Sequence, residues 1–287
     1  MLDLDLKREV ATPRDAATLV LVRDAKGPVR GIEIFCVERN KKSAFMGGAI
    51  VFPGGKIDEA DRDPRWLALT TPPHPPRSPV ADDDAMFRAI LVAACRESLE
   101  EAAILPVLGT LAHAELLALR AEAAIPNASF AGLVEARKIC VDLGALRVFA
   151  RWITPIAEGR RFDTRFVMAA APLGQPGAHD ERETVSSFWA RPADVLARFA
   201  AGEVQLAPPT HRTLELLSAC ADSAAALAWC ETQSLEPICP RLVPQGDTLA
   251  LVLPGDAEHD VPESRVAGTS RFVLHGERWL PGEAPRG

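Results

Sequence analysis

Arg96-Glu97-Ser98-Leu99-Glu100-Glu101 lies near the end of an apolar-rich run, 85–105, that opens after Asp82-Asp83-Asp84 and meets Pro106. Acidic residues at the start and a proline at the stop predict a helix over this run. At roughly 100° per residue, Glu97, Glu100 and Glu101 fall within about a 100° arc and share one face. The helix dipole leaves negative charge at that end, where each added anion costs about 0.3 to 1 kcal/mol before mutual repulsion. Arg96 alone cannot neutralise three carboxylates. One reading is a solvated acidic face. The other is an oxygen-rich site for a divalent cation, for which Mg²⁺ or Mn²⁺ is the suitable type.

Upstream, Ala49-Ile50-Val51-Phe52 has the character of a short buried strand and runs into Pro53-Gly54-Gly55-Lys56. A glycine pair there is expected to turn and to let backbone approach a ligand closely. Joined to the acidic helix, the segment resembles the signature of the Nudix hydrolases: Gly, five residues, Glu, seven residues, then Arg-Glu-aliphatic-any-Glu-Glu-any-Gly-aliphatic. Gly55, Arg96, Glu97, Glu100, Glu101 and Ile104 match it. Asp61 stands in place of the first Glu, Ser98 in place of an aliphatic residue and Ala103 in place of the second Gly. The alanine asks that the backbone there avoid positive φ.

Between Asp61 and Arg96 lie 34 residues, 62–95, where the signature has seven. Pro72-Pro73-His74-Pro75-Pro76-Arg77-Ser78-Pro79 falls within them and cannot form regular helix or central strand, so the insertion is expected to leave the fold as a loop. This interruption, together with 45–58, Arg161-Phe162-Asp163-Thr164-Arg165-Phe166 and Pro208-Pro209-Thr210, is similar to the Nudix branch that holds the peroxisomal coenzyme A diphosphatase and its bacterial relatives. The likeness covers residues from about 18 to 215.

The resemblance implies an α/β fold, a Nudix-type α/β/α sandwich with a mixed sheet. It also implies metal-dependent attack by water on the diphosphate linkage of a nucleoside diphosphate derivative. Coenzyme A or acyl-coenzyme A is the first substrate; ADP-ribose, a nucleotide sugar, or a catalytically silent binding module are the alternatives. On the same basis Glu97, Glu100 and Glu101 are the metal ligands and the Gly55 carbonyl completes their shell. Asp61 holds a metal-bound water, and Arg96 orients a neighbouring carboxylate. Family members often add an acid from a later loop as ligand or general base; His179-Asp180-Glu181-Arg182-Glu183 supplies the candidates, with Glu183 ahead of Glu181. Arg39, Lys41 and Lys42 follow a predicted strand just before Gly54 and Gly55 and are candidates to face the diphosphate, or else an exposed basic turn.

Periodicity predicts strands at 17–22, 32–38 and 49–52, then the acidic helix, then a helical pair at 111–123 and 130–138 split by Pro126-Asn127. Strands follow at 146–153, 162–170 and 185–189, with helices at 192–200 and 210–229. Short strands at 248–253, 271–274 and 278–280 close the chain. The expected organisation is a hydrolase domain at 10–232, carrying an inserted loop at 62–84 and a helical pair at 110–139, and a small β-rich appendage at 233–287.

A net charge of −7 and the absence of tyrosine argue against a nucleic-acid partner. Six cysteines are scattered without a Cys-x-x-Cys pair, and six histidines without metal spacing, so both sets are expected in packing or surface roles. Acids interrupt the first eight residues, which do not resemble a signal peptide, and no run reaches the ~20 apolar residues of a membrane span. Pro285-Arg286-Gly287 differs from a Ser-Lys-Leu address. The expected setting is the cytoplasm, with no membrane partner and with a homodimer admitted.

Overall fold

The computed structural model describes residues 10–40, 48–76, 78, 80–180 and 184–283. In chain order these form β1 (Arg14–Asp24), β2 (Ile32–Arg39), β3 (Ala49–Val51), β4 (Gly54–Lys56), α1 (Trp66–Leu69), α2 (Asp84–Ala102), α3 (His113–Ala123) and α4 (Phe130–Ala136). The second half holds β5 (Arg147–Ile153), β6 (Phe162–Ala170), β7 (Thr184–Ala190), α5 (Pro192–Ala200), β8 (Gln205–Leu206), α6 (Pro208–Leu217) and α7 (Ser223–Cys230). It ends with β9 (Pro237–Ile238), β10 (Arg241–Gln245), β11 (Thr248–Val252), β12 (Arg271–His275) and β13 (Arg278–Pro281).

Among the described residues the main sheet runs β8-β3-β2-β1-β6-β5-β9, with β4 also on β1 and β7 also on β2. β1 pairs parallel with β6 and antiparallel with β2 and β4, so the sheet is mixed. Residues 19–22 of β1 are fully buried on both faces, as a strand covered by helices on each side requires. One apolar core packs α2, α3 and α4 under the sheet; another packs α5, α6 and α7 over it. This is the α/β/α sandwich that the resemblance implies.

The four-stranded antiparallel sheet β10-β11-β12-β13 is separate in hydrogen bonding but not in packing. Leu251, Leu253, Phe272 and Trp279 belong to the same core as Phe149, Trp152 and Phe166 of the main sheet. β9, at 237–238, pairs with β5, so hydrogen bonding to the main sheet continues past Gln233.

Three expectations change. The described part of 62–84 does not leave the fold. Trp66 and Val80 are each 1% exposed, Trp66 stacks obliquely on Phe130 at 5.2 Å, and Arg165 Nε donates to the Val80 carbonyl at 2.9 Å. The prolines prevent regular structure at 72–76 but not anchoring at either side. The single helix expected at 210–229 is two, α6 and α7, because Asp222 caps a new start by accepting from Ala225 N at 2.8 Å.

The third concerns Ala103. It takes left-handed backbone, φ 51° and ψ 39°, ending α2 three residues before Pro106. Its N–H bonds the Leu99 carbonyl at 2.9 Å and the Ile104 N–H reaches the Ser98 carbonyl at 3.4 Å, which satisfies carbonyls left over at the helix end. Ser98, the departure from an aliphatic residue, donates its buried hydroxyl to the Ile104 carbonyl at 2.9 Å and clamps the same bend. The backbone at 103 therefore has the conformation a glycine takes readily, and the alanine carries a strain of about 1–2 kcal/mol.

Candidate active site

α2 starts where Asp83 Oδ1 accepts from Met86 N at 2.7 Å, and it buries its apolar positions so deeply that Leu99 and Ala102 are fully covered. Its last turns then bring the acids to β4. Gly54 and Gly55 form that strand, against β1, rather than a turn. A Cβ on Gly54 would stand 2.6 Å from the Ala17 carbonyl oxygen, and one on Gly55 would stand 2.5 Å from Glu97 Oε1. Both glycines are thus required by close approach, to β1 in one case and to the Glu97 carboxylate in the other.

Arg96 organises the cluster. Its Nε and Nη2 donate to Asp61 Oδ1 and Oδ2 at 2.9 and 3.0 Å, Nη2 also donates to the Lys56 carbonyl at 3.0 Å, and Nη1 reaches Glu97 and Glu100 at 2.8 and 3.3 Å. Burial works against its charge, yet the Asp61 hydrogen bonds and the glutamates hold it above its ordinary pKa. Asp61, 2% exposed, accepts a third bond from Asp58 N at 2.8 Å. Both its oxygens accept from protein donors, so in the structure Asp61 anchors Arg96.

Glu101 turns to β4 and accepts from Gly54 N at 3.1 Å. Burial pushes Glu97 up to about 7, with Arg96 opposing and Glu100 adding to the rise. Glu100 is also raised by burial, again against Arg96. Among the described residues no three acidic, histidine or cysteine side chains are gathered as a finished metal cage, because the guanidinium stands between Glu97 and Glu100. The donor chemistry still fits a hard cation. Asp58, Asp61, Glu97 and Glu100 all lie within 4 Å of one guanidinium, Glu101 is a turn away, and the nearby Lys56 pairs with Asp58. Glu97, Glu100, Glu101 and the adjoining Gly55 backbone are therefore the residues that could hold a divalent ion.

Arg39 ends β2 and is paired in register with Thr184, the first described residue after the 181–183 segment. Glu181, Glu183, Lys41 and Lys42 lie outside the described residues. The stretch leading to Glu183 is docked on the end of α2. Gln175 makes a two-way bond with the Leu105 backbone at 2.9 and 3.0 Å, Ala178 N donates to the Ala102 carbonyl at 2.7 Å, and Arg120 of α3 donates to the Ala178 and His179 carbonyls at 2.7 and 3.1 Å. α3 thus supports the stretch that precedes Glu183 in sequence. Gln175 and Arg120 were not singled out in the sequence, since neither belongs to a motif.

A cleft of about 230 Å³ adjoins the same glycine strand, with Gly54, Thr18 and Arg39 in its wall. Phe162, Thr164 and Phe166 line it, as do Pro208, Pro209 and Thr210, so two separate sequence motifs meet there. Arg165 points to the opposite side, bonding Asp15 Oδ1 at 2.6 Å. Trp152 and, from the second sheet, Leu251 and Trp279 complete the wall. Nothing in the spacing of these last three announced them.

A family model described as the NUDT19 Nudix domain matches residues 76–217, which take in α2 and its acids. The chain is 28% identical over 275 residues to the acyl-coenzyme A diphosphatase NUDT19 of Homo sapiens, covering 80% of this chain and 72% of that protein. It is likewise 28% identical over 247 residues to the protein of the same name from Gallus gallus, covering 68% and 65%. A crystal structure of a Nudix hydrolase from Alicyclobacillus acidocaldarius superposes with a TM-score of 0.64 at 30% identity, over 76% of this chain and 96% of that one. The chain belongs to the Nudix hydrolase superfamily. Within it, the chain is a Nudix-type diphosphatase, a hydrolase acting on phosphoric anhydrides. Members of the superfamily generally depend on a divalent metal. No described helix is long and apolar enough to cross a membrane.

Proposed function

We propose that this chain hydrolyses the diphosphate linkage of acyl-coenzyme A, or of coenzyme A itself, with Mg²⁺ or Mn²⁺. The observation that carries the reading is the junction at β4. Gly55 lies so close to the Glu97 carboxylate that a Cβ would meet it, while the preceding residue, Gly54, lines a mainly apolar cleft. One substrate with a diphosphate and, beyond its pantetheine arm, an acyl chain would span both. Relatives named acyl-coenzyme A diphosphatase support the same substrate.

Glu97, Glu100, Glu101 and the Gly55 carbonyl would hold the cation. When bound, it neutralises phosphate oxygens and lowers the pKa of an attacking water. Arg96 fixes the directions of Glu97 and Glu100, and Asp61 fixes Arg96. Glu183, which follows in sequence the stretch held by Gln175 and Arg120, is the proposed acceptor of the water's proton. A base must lie within hydrogen-bond reach of that water, and the docking of 175–180 beside α2 favours an acid that follows it in sequence for the role. Arg39, in the cleft wall, is the proposed phosphate contact.

Water adds to one phosphorus, the bridging P–O bond breaks, and two phosphomonoesters leave. Coenzyme A would give 3′,5′-ADP and phosphopantetheine. Incubation of coenzyme A, acyl-coenzyme A, ADP-ribose and a nucleotide sugar with Mn²⁺, followed by product chromatography, tests the reading. Release of 3′,5′-ADP from the coenzyme A compounds, abolished in Glu100→Gln, is expected. Turnover confined to ADP-ribose or the nucleotide sugar would overturn the substrate assignment.

A further inference from the structure

The C-terminal sheet has no part in the carboxylate cluster, yet two of its buried side chains, Leu251 and Trp279, face the cleft that begins at Gly54. The opposite wall is set by strand alternation. Asp163 and Arg165 of β6 are held on the other face by Arg151 and Asp15, which leaves Phe162, Thr164 and Phe166 for the cleft. Among the described residues of the lining, Arg39 and Glu158 are charged; the others are aromatic, aliphatic, glycine, proline and threonine. Against the aromatic, aliphatic and proline part of that wall a sugar or base would lose water without gaining partners, a desolvation cost that a methylene chain avoids.

The walls are also preformed. Trp152 is 4% exposed, Trp279 5% and Phe166 6%, so the rings are held by packing before any ligand arrives. From these observations we propose that the cleft between the main sheet and the C-terminal sheet is the subsite for the acyl chain of the substrate. Trp279 on β13 and Thr164 on β6 are its specificity-determining residues. The inference rests on the acyl-coenzyme A reading and adds to it a site, a boundary and a function for the second sheet. The sheet completes a pocket, and chain length is measured against its wall.

The test is kcat/KM for release of 3′,5′-ADP from coenzyme A and from a series of straight-chain acyl-coenzyme A compounds, in wild type, Thr164→Phe and Trp279→Ala. In wild type, kcat/KM should rise about two- to fourfold per added methylene until the cleft is filled, the size expected for burying a methylene. Thr164→Phe adds a ring to the cleft and should move the plateau to a shorter chain, lowering the ratio of long-chain to unacylated substrate by about tenfold or more. Trp279→Ala removes a wall and should flatten the series. A misfolded variant scales every substrate alike, so the ratio within one preparation separates selectivity from loss of fold.

If wild type shows no chain-length dependence, or if both variants leave the ratios unchanged, the subsite is refuted while the substrate reading stands. Should no coenzyme A compound be hydrolysed, both fall together.

Discussion

Replacing Asp61 by Asn separates two roles for this residue. In the structure its carboxylate accepts from Arg96 Nε at 2.9 Å, Arg96 Nη2 at 3.0 Å and Asp58 N at 2.8 Å. An asparagine has one oxygen, so at least one of these three donors faces an NH₂ group, and the Arg96 charge loses its buried partner. A hydrogen bond to a charged group contributes about 1.5–3 kcal/mol, and breaking a buried pair costs about 3–5 kcal/mol. Arg96 retains Glu97, Glu100 and the Lys56 carbonyl, which places the expected loss near the lower bound, about 3 kcal/mol. The assay is urea unfolding of the metal-free protein with a chelator present, comparing midpoints at equal m-values. An aspartate that only carried a metal-bound water would leave metal-free stability unchanged. A loss under about 1 kcal/mol, the size of one ordinary hydrogen bond, refutes the anchoring role.

Other variants probe separate parts of the fold. Ser98→Ala removes the hydroxyl that holds the Ile104 carbonyl and should destabilise by about 1 kcal/mol in the same unfolding assay. In the C-terminal sheet, Arg271 and Asp256 are paired at 2.7 Å with both side chains 1% exposed, so Asp256→Ala should destabilise by about 3–5 kcal/mol, read as a fall in melting temperature. Burial would raise the Asp256 pKa, but its bonds from Arg271, Glu258 N and Ser270 lower it below 3.8 overall. Its contribution is therefore fully present above that value and lost as pH falls through the lower folded pKa, which stability measured between pH 5 and 2 will register in wild type but not in the variant. Burial also pushes the Cys36 thiol up to about 12 and raises Cys95 and Cys230, so these three should resist a thiol reagent in the native protein while Cys140, Cys220 and Cys239 react first.

The carboxylate cluster was legible in sequence because helical spacing depends only on residue number: Glu97, Glu100 and Glu101 share a face in any α-helix. The sandwich was legible for a similar reason, as β1, β2, β5 and β6 are long and apolar enough to show their period. The hold of Asp61 on Arg96 was not. Its partner is Arg96, 35 positions away across an insertion, and only the folded chain shows that the guanidinium takes both its oxygens. Ala103 was misread for a different reason. Alanine prefers negative φ locally, and the Ser98 clamp and the buried turn override that preference. The cleft was out of reach because Trp152, Leu251 and Trp279 come from three strands and two sheets, with no shared motif to join them.

The central claim is that Glu97, Glu100 and Glu101 are gathered at β4 to hold a divalent cation. Calorimetric titration of Mn²⁺ into the wild type, Glu97→Gln and Glu100→Gln tests it without substrate. Saturable binding by the wild type, weakened about tenfold or more in each variant, is the expected result, since each lost carboxylate removes a charged ligand from a hard cation. Equal affinity in all three proteins, or no saturable binding by the wild type, would contradict it.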